Sequence, residues 1–327
     1  MEWDRNLRAL QRGIRLATRI VKARLDGPTA HPAQARPSRL VQMEGFGENP
    51  GRLRMLAYLP PQPAPNRPLL VLLHGCGQNA AAFAADAGWT LLADRLGLPL
   101  ILPEQAEANN SSRCFQWFHR EDISRGQGEA GSIAAMTRAA AERFGSDPRR
   151  VFVVGLSAGG AMAAALLAAY PDLFAAGAAV AGLPVGVARW AIQGLARMSS
   201  ASLDQKPEDW AEDVRRAAPF GFTGPWPRLS VWQGLADQTV APENAALLAA
   251  QWRALHGVGP ADMATHESAS LTRQVWTQGG NKVLELWSLP QLSHAWPIGN
   301  RFAPPGRFVA SAPVDATAAI ARFLGLD

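Results

Sequence analysis

The chain is poor in cysteine and tyrosine, with two of each in 327 residues, and only 18% of its residues are charged. Two cysteines, Cys76 and Cys114, are too few for a disulfide-stapled scaffold, and neither has the close Cys or His neighbours that a zinc site requires. No metal is therefore expected. No apolar run approaches the roughly 18 to 20 residues that cross a bilayer, and the N-terminus carries charges where a secretory leader has a continuous apolar stretch. The expectation is a protein that does not span the membrane, cytoplasmic by default, with export as the alternative. A Walker-type phosphate loop is also missing.

What is present is a 48% hydrophobic chain, enough for one large or two small folded domains. Its net charge of +5 is unevenly placed: residues 1 to 40 hold nine Lys or Arg against three acids, and the remaining 287 residues hold 23 against 24. The folded body is essentially neutral, so it offers no basic groove for phosphates, and nucleic acid is not an expected partner. In the arm, Leu7, Leu10, Ile14, Ala17 and Val21 share helical spacing, with Arg5, Arg8, Arg12, Arg15, Arg19 and Lys22 on another face. This predicts a cationic amphipathic helix over residues 1–27, able to touch an anionic membrane or a polymer granule, or to lie along the body itself. A proline-bearing linker follows over 28–39, and the body begins near Leu40.

Within the body, apolar strand-like runs at Leu69 to Leu73, Leu98 to Leu102, Val151 to Val154, Leu229 to Trp232 and Val283 to Trp287 alternate with helical patterns. The helices are expected around Ser132 to Arg143, Ala158 to Ala169 and Glu243 to Leu255, with a last one near Val314 to Leu324. Such alternation predicts an α/β fold with a mostly parallel sheet covered on both faces. The stretch at about 184–227, carrying Trp190, Met198, Trp210, Phe220, Phe222 and Trp226 among prolines and polar residues, reads as an insertion over one sheet end.

The sharpest chemical signal is Gly155-Leu156-Ser157-Ala158-Gly159, which follows one of these strands and opens a helix of small residues. A serine on a tight strand-to-helix turn projects its hydroxyl beyond the sheet, and the flanking glycines let strand and helix approach. Ser157 is thus the candidate nucleophile. A serine hydroxyl needs a histidine to take its proton and a carboxylate to orient that histidine. Asp237 and His294 each follow a C-terminal strand, where ligands bind in open α/β sheets, and their order after the serine is that of a hydrolase triad.

Asp204, Asp209 and Asp213 fall in the polar insertion and are weaker acids for this role. His256 sits at an expected helix end beside its terminal carbonyls, His119 and His266 in polar loops, and His31 in the linker. His74-Gly75-Cys76-Gly77-Gln78 directly follows the strand at Leu69 to Leu73, in the position that supplies one oxyanion donor; the backbone N–H groups of Cys76 and Ala158 are the expected pair. His74 is expected to brace this loop. The same loop weakly matches a dinucleotide fingerprint, Gly75-x-Gly77-x-x-Ala80. The acid after the next strand, Glu104, comes later than that fingerprint's usual interval of about 20 residues, and an oxidoreductase would leave the serine turn unexplained.

The runs LLHGCGQ (Leu72 to Gln78), PEQAEANNSSRCFQWF (Pro103 to Phe118), GEAGSI (Gly128 to Ile133), GLSAGGAM (Gly155 to Met162), AGLPVG (Ala181 to Gly186) and SHAWP (Ser293 to Pro297) resemble the polyhydroxybutyrate depolymerase family of serine esterases. Feruloyl and acetylxylan esterases share that framework. The resemblance implies an α/β-hydrolase fold over about residues 50 to 325, cofactor-independent hydrolysis of carboxylic esters, and Ser157, Asp237 and His294 as the triad. It also implies a disulfide between Cys76 and Cys114. Trp117 and Trp296 lie in motifs placed near the site and are candidates for the acyl or alcohol pocket.

Val185 stands where many relatives carry an aromatic, and Ser293 replaces the usual glycine before the histidine. Many extracellular members add a signal peptide and a polymer-binding domain, neither of which is recognisable here. Soluble short-chain esters and hydroxybutyrate oligomers are therefore expected as better substrates than crystalline polymer. Two rivals are a feruloyl or acetylxylan esterase, and a granule- or membrane-surface binding protein with an inactive hydrolase body.

Overall fold

A computed structural model describes residues 39–62, 66–201, 206–299 and 306–326. The expected helix over 1–27, almost all of the linker, and Asp204 lie outside the described residues. Five consecutive apolar residues make Leu69–Leu73 (β3) a strand buried on both faces: Leu69, Val71 and Leu73 point into one hydrophobic layer, Leu70 and Leu72 into the other. Its neighbours Leu100–Glu104 (β4) and Val151–Leu156 (β5) pair with it in parallel. Ala176–Val180 (β6), Arg228–Gly234 (β7) and Asn281–Leu289 (β10) continue the parallel array.

Antiparallel strands flank both edges: Leu40–Met43 (β1) and Arg54–Tyr58 (β2) on one side, Met263–Glu267 (β8) and Thr272–Gln278 (β9) on the other. The ten-stranded order is β1-β2-β4-β3-β5-β6-β7-β10-β9-β8. A short parallel pair, Trp296–Ile298 (β11) and Val309–Ser311 (β12), stands apart from it.

One face of the sheet carries helices Gly128–Phe144 (α3), Ala158–Ala169 (α4) and Glu243–His256 (α7); the other carries Ala80–Asp86 (α1), Trp89–Leu96 (α2) and Ala316–Leu324 (α8). Ala158–Ala169 is buried along its whole length, as its run of small apolar residues requires. β6 carried no strand signal in the sequence. Its residues are Ala, Gly and Val, and it is a strand because small side chains fit between β5 and β7: a Cβ on Gly177 would lie 2.4 Å from the Val153 carbonyl. β8 and β9 were equally silent, since most of their residues are exposed or half-buried on an edge.

The 184–227 stretch connects β6 to β7 and contains two helices, Ala191–Ser199 (α5) and Pro207–Ala217 (α6). Gln251 of α7 clamps it from below, accepting from the Val185 N–H at 3.0 Å and donating to the carbonyls of Val185 at 3.0 Å and Trp210 at 2.7 Å. The end of α5 is tied to the loop that follows β7, where the Ala241 N–H donates to the Met198 carbonyl at 2.7 Å. Among the described residues, no helix is long and apolar enough to cross a membrane.

Candidate active site

Three strand ends converge on one point. β5 ends into Ser157, whose φ of 58° and ψ of −120° are costly for a residue with a Cβ and turn the chain sharply into α4. The turn is possible because a Cβ on Gly155 would meet the Gly159 carbonyl at 2.1 Å and one on Gly159 would meet the Leu73 carbonyl at 2.2 Å. The Ser157 N–H donates to Val180 of β6 at 2.8 Å, and the Ala181 N–H to Trp232 of β7 at 2.8 Å, so the serine turn is locked to the strand that leads to Asp237.

β7 and β10 run parallel with Gly234 opposite Leu289, and their following loops touch: Leu235 N–H to Leu289 at 2.9 Å and Ala236 N–H to Leu292 at 3.1 Å. A Cβ on Gly234 would lie 2.2 Å from the Leu292 carbonyl, so only glycine permits that approach. These contacts set Asp237 beside His294.

The side chains then form one hydrogen-bonded row. His294 Nε2 is 2.9 Å from Ser157 Oγ, and His294 Nδ1 is 2.7 Å from Asp237 Oδ2. The other carboxylate oxygen of Asp237 accepts the N–H groups of Thr239 at 2.7 Å and Val240 at 2.9 Å, and Gln233 Nε2 donates to Oδ2 at 3.1 Å. Burial alone would raise the Asp237 carboxyl, but the His294 hydrogen bond and charge, with the two backbone N–H groups, outweigh it and hold the group below its ordinary value. Asp237 thus stays ionised, fixes the imidazole tautomer with hydrogen on Nδ1, and leaves Nε2 free to accept a proton from Ser157. Such a row can generate a serine nucleophile at neutral pH.

The loop after β3 abuts the same serine: a Cβ on Gly75 would be 3.4 Å from Ser157 Cβ. It is held by Gly75 N–H to Gln78 Oε1 at 2.8 Å, Gly77 N–H to Ser112 at 2.7 Å, Gln78 Nε2 to the Arg307 carbonyl at 2.8 Å and Arg307 Nη1 to the Gly77 carbonyl at 3.1 Å. Cys76 is disulfide-bonded to Cys114, which pins the loop to the segment carrying Phe115 and Trp117.

His74 is fully buried and does not join the row. Its Nδ1–H donates to the Gly75 carbonyl at 2.8 Å, its Nε2 accepts the Gln105 N–H at 3.2 Å, and burial lowers its pKa to about 4.

Sequence reasoning missed Gln233, Gln105 and Glu129. Glu129 is buried at the start of α3, where burial pushes its carboxyl up to about 8; its oxygens accept from Gln105 Nε2 and, at 2.8 Å, from the Gln116 N–H. Gln105 and Glu129 fall within the runs PEQAEANNSSRCFQWF and GEAGSI, but neither run says that they meet.

One pocket expectation needs correction. Trp296 is fully buried in the opposite layer, edge-on to Phe83 and Trp89, with its indole N–H on Thr317 Oγ1 at 3.1 Å; an aromatic nest and a hydroxyl partner hold it away from Ser157. Trp117 lies in the same apolar layer as Cys76 and Ala158, edge-on to Phe118, and a Cβ on Gly194 of α5 would be 3.3 Å from its Cη2.

His256 also differs from expectation: its ring bonds the Pro227 carbonyl at 3.3 Å rather than its own helix end. It lines a groove of about 690 Å³ with Phe174, Arg228 and Val283, at the end of the sheet where strands begin and remote from Ser157. Asp213 pairs with Arg216 at 2.5 Å on the outer side of α6, whose Trp210, Ala211 and Val214 are buried. No cluster of three or more metal-ligating side chains occurs among the described residues.

A family profile described as "Esterase PHB depolymerase" matches residues 53–275. The chain belongs to the PHB depolymerase esterase family. It is a carboxylic ester hydrolase with an α/β-hydrolase fold. Poly(3-hydroxyalkanoate) depolymerase C of Paucimonas lemoignei is 35% identical over 293 residues, which is 88% of this chain and 70% of that protein. An acetylxylan esterase of Coprinopsis cinerea is also 35% identical, over 82% of this chain and 72% of the relative. Feruloyl esterase B of Talaromyces stipitatus is 31% identical, over 73% and 68%. An acetyl xylan esterase from Aspergillus awamori superposes with a TM-score of 0.76 at 22% identity, covering 88% of this chain and 99% of the other, a likeness of fold.

Proposed function

We propose that this PHB depolymerase family esterase uses Ser157, His294 and Asp237 as its catalytic triad, and that its preferred substrates are short-chain hydroxyalkanoate esters, oligomeric or amorphous polymeric. The observation that carries the triad is the continuous row from Ser157 Oγ through His294 to Asp237 at the carboxyl ends of three strands. Ser157 Oγ attacks the ester carbonyl as its proton passes to His294 Nε2. The N–H groups of Ala158, at the start of α4, and Cys76, in the pinned loop, receive the developing oxyanion. The protonated imidazole gives its proton to the leaving alcohol and then draws one from water, which attacks the acyl-enzyme and releases acid and Ser157.

The hydroxyalkanoate preference is supported by 35% identity to the Paucimonas lemoignei depolymerase over 88% of this chain. A specific observation favours a second reading, acetylxylan or feruloyl ester hydrolysis: relatives named for those activities match at 35% and 31% identity. An inactive, purely surface-binding body is not supported, because the triad row is intact.

The deciding experiment compares kcat/KM on 3-hydroxybutyrate oligomers, acetylated xylan and methyl ferulate, with Ser157→Ala as control. Hydroxybutyrate oligomers are expected to lead by at least tenfold. A lead for methyl ferulate or acetylated xylan overturns the substrate assignment, and near wild-type turnover by Ser157→Ala overturns the triad.

A further inference from the structure

The buried chain Glu129–Gln105–His74 ends on the peptide that carries one of the two oxyanion donors. The Gly75–Cys76 peptide is trans, so its C=O and N–H point in opposite directions within one plane, and whatever fixes the Gly75 oxygen also aims the Cys76 N–H. Two donors fix that oxygen: His74 Nδ1–H at 2.8 Å and the Gln78 N–H at 3.2 Å.

His74 can donate from Nδ1 only as the tautomer with a bare Nε2, and the Gln105 N–H, donating to Nε2 at 3.2 Å, selects that tautomer. The Gln105 side chain is itself oriented. Its Oε1 accepts from the Ala106 N–H at 3.0 Å and Asn109 Nδ2 at 2.9 Å, while its Nε2 donates to the Cys114 carbonyl at 3.1 Å and to Glu129 Oε1. Glu129 Oε2 accepts the Gln116 N–H at 2.8 Å, and Cys114 returns through its disulfide to Cys76. The circuit is closed: both residues of the Gly75–Cys76 peptide are tied, by separate routes, to Glu129.

We propose that Glu129 is a positioning residue for ester hydrolysis, acting through Gln105 and His74 on one side and through Gln116, Cys114 and the disulfide on the other to aim the Cys76 N–H at the oxyanion. The inference rests on the serine-esterase reading above, with Cys76 as an oxyanion donor. His74, Gln105 and Glu129 are 0%, 1% and 0% exposed. An apolar core of the same volume would avoid their desolvation cost, and every hydrogen bond among them leads to the loop that abuts Ser157. Two donors, Gln105 Nε2 and the Gln116 N–H, converge on Glu129, and its carboxyl oxygens have lone pairs for both. A carboxamide at position 129 sets an NH₂ group against one of those donors, so Glu129→Gln breaks the circuit with little change of volume.

The test uses the full chain, p-nitrophenyl butyrate, and active sites counted by fluorophosphonate labelling. For Glu129→Gln, kcat per labelled site is expected to fall about 10- to 100-fold with KM within about twofold, as expected for a mis-aimed oxyanion donor whose outright loss costs about 10²–10³. Inhibition by a trifluoromethyl ketone, which places a tetrahedral oxyanion in the same hole, should weaken by the same factor.

A second pair keeps the test decisive if Glu129→Gln fails to fold. His74→Asn retains a donor for the Gly75 oxygen where Nδ1 stood and should keep at least tenfold more kcat than His74→Leu. Unchanged kcat per site and unchanged ketone affinity in Glu129→Gln, with only thermal stability lowered, overturns the proposal, as does equal kcat in the two His74 variants. Persistent turnover by Ser157→Ala overturns the triad reading and this inference with it; an inactive Ser157→Ala beside an unchanged Glu129→Gln overturns this inference alone.

Discussion

Replacing Cys76 and Cys114 together by alanine isolates what the cross-link contributes. The bond joins residues 38 apart in sequence, and in the chain-entropy treatment a closed loop of that length removes about 13 cal/mol/K from the unfolded ensemble, or about 4 kcal/mol at 25 °C. Both cysteines are nearly buried, at 7% and 9% exposure, so losing two sulfur atoms adds a smaller packing cost in the same direction. With about 2.1 cal/mol/K of unfolding entropy per residue over the 275 described residues, 4 kcal/mol corresponds to a fall of about 7 °C in Tm.

The folded loop keeps other restraints: Gly77 N–H on Ser112, Gln105 on the Cys114 carbonyl, and Gln78 on the Arg307 carbonyl. Activity in the remaining folded fraction should therefore fall less steeply than stability, within about tenfold of the parent. Urea unfolding of the parent and of the double variant, followed by tryptophan fluorescence, measures the difference, and p-nitrophenyl butyrate turnover below the transition measures the second effect. A stability loss under about 1 kcal/mol would refute the loop-entropy reasoning, and abolished turnover in fully folded variant would refute the claim that the hydrogen bonds suffice to hold the loop.

Asp237→Asn should preserve the fold and lower kcat by about 10⁴, because a carboxamide no longer enforces the tautomer with hydrogen on Nδ1; stopped assays beside circular dichroism check both halves of this statement. Gly234→Ala, whose new Cβ would stand 2.2 Å from the Leu292 carbonyl, should push the His294 loop from Asp237 and cut kcat at least tenfold, and a variant with parental kcat would show that the loop yields freely. The His74 imidazole, held near a pKa of about 4 by burial, binds its proton more weakly folded than unfolded, so its stability contribution is complete above about 6.5 and is lost as pH falls through 4. Between pH 7 and pH 4 the parent should lose about 3 kcal/mol more than His74→Asn in urea unfolding, and equal losses would contradict this assignment.

How much of this was readable in the sequence follows from how local each signal is. Leu69–Leu73 and Ala158–Ala169 are elements with the bounds read from the chain, because an unbroken apolar run in either conformation can only be buried. The serine turn was legible because the apolar strand, Gly155-Leu156-Ser157-Ala158-Gly159 and the helix follow one another, and the need for Gly155 is set by the Gly159 carbonyl within that turn; the need for Gly159, set by the Leu73 carbonyl of β3, was not. Asp237 and His294 were legible as candidates, since both follow apolar strands. Their pairing depends on β7 and β10 being neighbours, which no local pattern encodes.

Side-chain direction was decided by tertiary structure alone. Trp296 stands two residues from His294 yet turns into the layer beneath α1, α2 and α8, because Phe83, Trp89 and Thr317 offer its ring and N–H better partners than a solvated cleft does. Ala176–Val180 became a strand through its neighbours, having no propensity signal of its own. The Glu129–Gln105–His74 circuit joins residues from α3, the end of β4 and the end of β3, so its meaning exists only where those three elements meet. The sequence by itself determined which residues are apolar in strand or helical period and which serine stands on a strained turn, because backbone sterics and side-chain spacing are local. The tertiary structure decided which distant polar groups share one buried space, because a hydrogen bond between residues far apart in the chain depends on how the whole sheet packs.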